Sequence, residues 1–387
     1  MTVASALRIA LAGLVAMGVG MGIGRFAFTP LLPVMRDDAG LSLTAGGYLA
    51  FANYLGYFTG SVMATRLRLR TDIAVLGSLL LIGAVTMAMA MVTAYPLWFV
   101  LRLVAGIANA WIAVYAVAWC LERLAPLQRP ALNSLIFAGV GAGTMVIGAL
   151  CAVLILWPVG SRPQWVILGL CAWLMTATVW TTFRSARGTE LPRPAAGGGV
   201  PLNRHTLLLI VCFSIAGFGY IIPATFLPAM ARDILDDPAL FVWAWPVFGA
   251  AAMLSTLTGG ALLRRFSARQ LWIVCQFTMA AGVVVPALWS GLAVILFAAL
   301  CVGGTFMVIT MLSLQEARAA AGEQVVPLIA AMTGAFAAGQ MLGPLAASLM
   351  LEAGWGFSGG LFLAAGMLSV SGLMLWRWLP RRRGEGA

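Results

Sequence analysis

Lysine is absent from this chain of 387 residues, histidine occurs once, and all charged residues together make up 9%. A water-soluble domain carries about 25% charged and about 45–50% apolar residues; here the hydrophobic share is 62%. So little charge cannot cover a soluble fold of this size. The same figures exclude disorder, a collagen-like repeat and a small disulfide-stapled scaffold. The six Cys (Cys120, Cys151, Cys171, Cys212, Cys275, Cys301) lie in apolar runs without close pairs or nearby His. They read as small buried hydrophobes rather than metal ligands, and neither a metal nor an organic cofactor is expected.

What the chain has instead is long apolar runs. A helix crossing about 30 Å of hydrocarbon needs about 20 residues. Breaks in the pattern place spans at 8–34, 43–65, 71–92, 95–121, 131–157, 164–184, 206–230, 240–263, 270–288, 291–315, 325–350 and 356–379. The first run is too long for a cleaved secretory signal and continues into an Arg- and Pro-bearing segment, so it is expected to be a retained span. The chain is therefore read as an all-α integral membrane protein of twelve spans.

All 23 basic residues are Arg, for a net charge of +11. With twelve spans, 18 of them fall on the side of the N-terminus and only Arg36, Arg162 and Arg232 on the other; Arg25 and Arg102 lie within spans. Basic residues collect in cytoplasmic loops. Both termini are thus expected in the cytoplasm of a multi-pass protein of the inner (plasma) membrane, and the positive charge marks topology rather than nucleic-acid binding.

One Pro-, Gly- and Arg-rich stretch divides the chain. The expected units are an N-terminal six-helix bundle (1–184), a cytoplasmic linker (185–205), a C-terminal six-helix bundle (206–380) and a basic tail (381–387). His205, at the linker boundary, reads as interfacial rather than as a proton relay. A short echo relates the halves: aligning Pro33 with Pro228 also pairs Leu32 with Leu227 and Met35 with Met230.

Arginine inside hydrocarbon is expensive and usually faces a bundle interior or a water-filled cavity. Arg25 suits either substrate contact or a bond to backbone carbonyls; Arg102 reads first as a brace. No Asp or Glu falls in a span interior, which favours an anionic or polar substrate over a cation. Polar residues expected on cavity-facing helices are Thr29, Asn53, Tyr57, Asn109, Tyr115, Tyr220, Thr305 and Gln340, each equally suited to helix–helix bonding. Gly24, Gly106, Gly139, Gly143 and Gly343 permit close helix approach. With Pro30, Pro33, Pro228 and Pro344 they are the candidates for packing or gating. Trp98, Trp157, Trp165, Trp289 and Trp355, near outer span ends, read as interface-belt residues. The run GVGMGIG lies within a membrane helix with no preceding strand, so it is not a nucleotide loop. No nucleophile–base pair is visible, and no enzymatic activity is expected.

The stretch GVGMGIGRFAFTPLLPVM (18–35) resembles the first-span motif of YbfB/YjiJ-type transporters of the major facilitator superfamily. The resemblance continues through 46–60, 303–318 and 332–349. It implies two parallel six-helix bundles rocking between inward- and outward-open states, often with H+ as coupling ion, in a chain that works as a monomer. LRLVAGIANA (101–110) resembles the superfamily's span-4 motif, placing Arg102 and Gly106 on its matching positions. FAGVGAGTMVIGA (137–149) resembles the span-5 motif of exporters without its usual Gly–Pro pair, and Ala64 stands near the Asp expected after span 2. The expected function is alternating-access transport of a small organic, anionic or polar-aromatic compound across the lipid bilayer, by proton-coupled efflux. Uptake of an organic acid is the nearer alternative, and a non-transporting sensor or scaffold the remoter one.

Overall fold

A computed structural model describes residues 3–67, 69–127, 130–157, 159–187, 203–234, 242–321 and 325–378. Residues 188–202 of the expected linker, the expected tail 381–387, and Arg68, Arg129 and Arg193 lie outside the described residues. Among the described residues there are twelve long helices: α1 (Ala4–Ala39), α2 (Leu43–Arg66), α3 (Thr71–Met91), α4 (Tyr95–Leu127), α5 (Pro130–Leu156), α6 (Ser161–Arg184), α7 (Arg204–Ile234), α8 (Ala244–Leu262), α9 (Ala268–Leu288), α10 (Leu292–Ala321), α11 (Val325–Glu352) and α12 (Gly356–Trp378). Eleven of them are apolar enough to cross a membrane on composition alone. The remaining one, α2, is diluted by Gly, Tyr and Asn, but its 24 residues are long enough to span.

Local signals set the helix ends. Gly40, at φ 65°, closes α1 by donating its N–H to the Met35 carbonyl. Ser42 caps α2 through the Ala45 amide (3.1 Å), and Ser267 with Gln270 forms a reciprocal capping box on α9. Two helices run further than their apolar runs. α1 continues through Pro33 to Ala39, and α10 continues through LQEARAA to Ala321.

The helices pack as two equivalent sets of six. In the N-terminal half α1 lies on α5, α2 on α4 and α3 on α6; in the C-terminal half α7 lies on α11, α8 on α10 and α9 on α12. Across the halves α2 meets α11, α5 meets α8, and the ends of α1 and α7 meet each other. These are the pairings that a two-fold axis along the bundle produces. Glycines make the contacts close. A Cβ on Gly106 would strike the Asn53 carbonyl, one on Gly139 the Leu14 backbone, and one on Gly143 the Gly18 backbone. Gly343 sits likewise against Phe218 and Ile221 in the second half. Lipid supplies no hydrophobic drive between helices, so such backbone proximity is what holds them. The outward residues, Leu174, Val274 and Val370 among them, are exposed and apolar, as a lipid-facing surface requires. Trp157, Trp289 and Trp355 are exposed as belt residues would be, but Trp98 and Trp165 are packed inside. Trp98 donates its indole N–H to the Met89 carbonyl, which ties α4 to α3.

Two helices depart from regular α geometry. Gly18–Phe26 in α1 and Ile112–Ala116 in α4 are π-helical. The first coincides with glycine at every second position from 18 to 24, the residues that weaken an α-helix most after proline. Such widened turns recur at functional sites.

Candidate functional site

Call the side of the bundle on which α1 begins and α12 ends the terminal face. Toward the opposite face the halves are in contact. The Thr29 hydroxyl donates to the Ala224 carbonyl (3.0 Å), and Phe26 sets its edge against Trp245 and Phe248. The Tyr48 hydroxyl donates to Glu352 (2.9 Å). At the rim Arg36 pairs with Asp233 (2.8 Å) and Arg232 with Asp37 (3.7 Å), each Arg-Asp dipeptide reaching across to the other. Asp38, next in sequence, instead accepts from the Ser161 amide and hydroxyl and fastens α1 to α6.

Between this seal and the terminal face lies a cavity of about 200 Å3. Its deep end is formed by Arg25, Phe26, Tyr57, Tyr220 and Gln340; its walls nearer the terminal face include Met17, Val117, Phe137, Phe213, Thr310 and Leu314. Both halves contribute. α1 and α2 bring the cation and a phenol; α7, α10 and α11 bring aromatic rings and an amide.

Arg25 is 4% exposed. Its Nη2 donates to Gln340 Oε1 (3.2 Å), its Nη1 approaches Met21 Sδ (3.8 Å), and its Nε has no partner. The guanidinium lies over the rings of Tyr54 and Tyr57, 4.7 and 4.4 Å from their centroids. Cation–π attraction of this kind strengthens when water is excluded. Gln340 Nε2 in turn donates to the Tyr220 hydroxyl, so one polar chain joins Arg25, Gln340 and Tyr220 across the halves. Among the described residues lining the cavity, Arg25 is the only charged one.

Arg102 has a different task. Its Nη1 and Nη2 donate to the carbonyls of Gly24 (3.2 Å) and Arg25 (3.1 Å), and its guanidinium lies 4.8 Å from the Phe28 ring. Asn53 Nδ2 donates to the Gly24 carbonyl (3.2 Å) and the Arg102 carbonyl (3.0 Å). Buried carbonyls must find donors, and these two side chains supply them where α1 is widened. They hold the backbone that carries Arg25.

Of the nine residues expected at a cavity, the structure brings Arg25, Tyr57, Tyr220 and Gln340 together and places the other five elsewhere. Thr29 bridges the halves, Asn53 braces α1, and Asn109 is buried facing Gly20. The Tyr115 hydroxyl donates to the Leu67 carbonyl (3.2 Å), and Thr305 bonds back to the Cys301 carbonyl in its own helix. Of the packing and gating candidates, Gly24 lies in the widened stretch against Ile82, and Pro30 and Pro33 are buried in the outer part of α1. Pro228 and Pro344 lie inside α7 and α11.

Apart from Tyr220, the aromatic wall was not singled out from sequence. Phe213, Phe336, Tyr220 and Phe306 stand in sequence along it with neighbouring planes inclined by 18°, 9° and 8°. The available signal was spacing: Phe213 lies two turns before Tyr220, and Phe336 one turn before Gln340, on the same helix faces.

The fold is similar to that of two transporters of known structure. The nucleoside transporter NupG, solved as a point mutant, superposes with TM-score 0.74 at 12% identity, covering 95% of this chain and 99% of its own. A D-xylose-proton symporter superposes with TM-score 0.74 at 13% identity, covering 96% and 98%. No curated protein matches the sequence. The family model described as uncharacterised MFS-type transporter YbfB matches residues 17–376, nearly the whole chain, and the protein belongs to that family of the major facilitator superfamily.

Proposed function

We propose that the protein moves a small organic anion across the inner membrane by alternating access, with Arg25 as the group that receives it. The observation that carries this reading is a buried cation at the deep end of a cavity between two bundles, with one N–H unpartnered and no carboxylate among its bonded neighbours. An arginine held at such a cost in the membrane interior has a functional use by default. Arg102 and Asn53 stiffen its backbone, and the C-terminal half offers Gln340 and Tyr220 as the facing polar groups.

The arginine-rich terminal face is assigned to the cytoplasm; the cavity then belongs to an inward-facing state sealed on its outer side. Rocking of the halves would open the rim at Arg36–Asp233 and close the cavity's other end. Proton-coupled efflux is the direction proposed, in line with the glycine-rich α5. Uptake is the second reading, favoured by the fold shared with a D-xylose-proton symporter. One chain supplies both walls of the cavity, so a monomer is proposed to suffice.

The test compares Arg25→Ala with Arg184→Ala, an exposed residue at the end of α6, at equal membrane abundance in an unbiased metabolite-retention screen. Loss of export in the first variant alone supports the reading; equal activity removes Arg25 from the site. Oriented vesicles with and without a proton gradient then separate efflux from uptake and coupled from uncoupled flux.

A further inference from the structure

The cavity's chemistry narrows the class of anion. The guanidinium carbon lies 4.7 and 4.4 Å from the ring centroids of Tyr54 and Tyr57, and a guanidinium bonds a ligand through its in-plane N–H groups. Nε is unpartnered, and Nη2, on the same edge, is engaged by a single amide oxygen of Gln340. That edge is a two-pronged fork matching the two oxygens of a carboxylate. Gln340 Oε1 therefore occupies the place of one carboxylate oxygen.

Among the described residues, no second cation lines the cavity. A second negative charge on the ligand would be buried against apolar walls without compensation. The wall opposite the cation is not merely apolar. Tyr220 lies 5.0 Å from Phe306 and 5.8 Å from Phe336 with planes nearly parallel. Stacked on one another, these rings leave their edges to the cavity they line, which suits edge-to-face contact with one flat group. The volume, about 200 Å3, is below the roughly 300–1,000 Å3 of pockets for drug-sized ligands, and suits one ring with short substituents.

Resting on the transport reading above, we propose that the substrate is a single-ring aromatic monocarboxylate. Its carboxylate displaces Gln340 from Arg25 and is gripped by Nε and Nη2, while its ring lies against Tyr220, Phe306 and Phe336. Binding then breaks the Arg25–Gln340 bond between the halves, so the ligand replaces a link across the two bundles with itself.

The test is exchange of labelled benzoate by the full-length protein in proteoliposomes, with competitors added at equal concentration. Benzoate is expected to exchange and 4-hydroxybenzoate to compete fully. Cyclohexanecarboxylate should compete about tenfold less well through loss of the edge-to-face contact. Benzamide and phthalate should compete about a hundredfold less well, lacking the charge in one case and carrying a second in the other. Equal competition by cyclohexanecarboxylate overturns the aromatic assignment, by benzamide the carboxylate grip, and by phthalate the single charge; each leaves transport standing. Exchange of xylose or uridine without benzoate overturns the acid class while keeping the transport reading. No protein-dependent flux of benzoate, xylose or uridine overturns both. Gln340→Glu, which tethers a carboxylate to the same prong, should abolish benzoate exchange at unchanged membrane abundance, and full exchange in that variant overturns the displacement step.

Discussion

α1 and α7 start from the same plan and end with different duties. The register that pairs Pro33 with Pro228 also pairs Arg25 with Tyr220, and Thr29 with the Ala224 whose carbonyl it bonds. α7 stays α-helical over 31 residues despite Pro223 and Pro228. α1, with glycine at alternate positions, widens into a π-helical stretch and relies on Arg102 and Asn53 to satisfy its carbonyls. One helix presents a charge on a braced and irregular backbone; its counterpart presents a neutral phenol on a regular one. The difference shows how a duplicated scaffold becomes a site: symmetry brings the two positions face to face, and divergence makes them complementary.

The sharpest way to break that comparison is to remove the charge. Arg25→Ala should lower flux about a hundredfold, the loss of two charge-assisted bonds, whereas Tyr220→Phe, which keeps the ring, should cost less than about tenfold. Equal losses in a vesicle flux assay would show that the two positions do the same work. Next comes the brace: Arg102→Leu frees the Arg25 carbonyl, while Gly24 keeps its bond from Asn53, at a cost of about 1–3 kcal/mol. It should lower the melting temperature in detergent as well as flux, a double effect not expected of Tyr220→Phe.

A third change moves from α1 and α7 to the seam between the halves. A Cβ on Gly141 would overlap the Met253 backbone across the α5–α8 contact, while Gly304 has nothing within 4 Å. Gly141→Leu should cost about 1–3 kcal/mol and slow flux; Gly304→Leu should leave both stability and flux intact. The smallest effect is expected at the rim. The Arg36–Asp233 pair is solvent-exposed, and such pairs contribute about 0.2–1 kcal/mol. Arg36→Asp should raise labelling of a cysteine placed at Thr44 by at most about fivefold, and adding Asp233→Arg should restore it.

Much of the fold was legible because lipid imposes a simple grammar of length and hydropathy. The span ends were missed where charge did not mean exit. Arg36, Asp37 and Asp38 remain helical to Ala39, and Glu316 and Arg318 lie inside α10. For the site, a polar residue in an apolar run announces that it needs a partner but not which one. Arg25 and Gln340 found each other, whereas Tyr115, Thr305 and Thr29 found backbone carbonyls. Phe213 and Phe336 were marked only by their helical spacing from Tyr220 and Gln340, since a phenylalanine facing a cavity and one facing lipid otherwise look alike in sequence.

The bonds that Arg102 and Asn53 make to Gly24 and Arg25 bear on how the protein is assembled. In a chain made from its N-terminus, α1 enters the bilayer before the helix that carries Arg102 has been completed. Hydrocarbon tolerates only backbone that satisfies itself, so the newborn helix must be regular there. Its widened form has to wait until α2 and α4 arrive, which makes completion of the binding helix a late event in biogenesis rather than an early one.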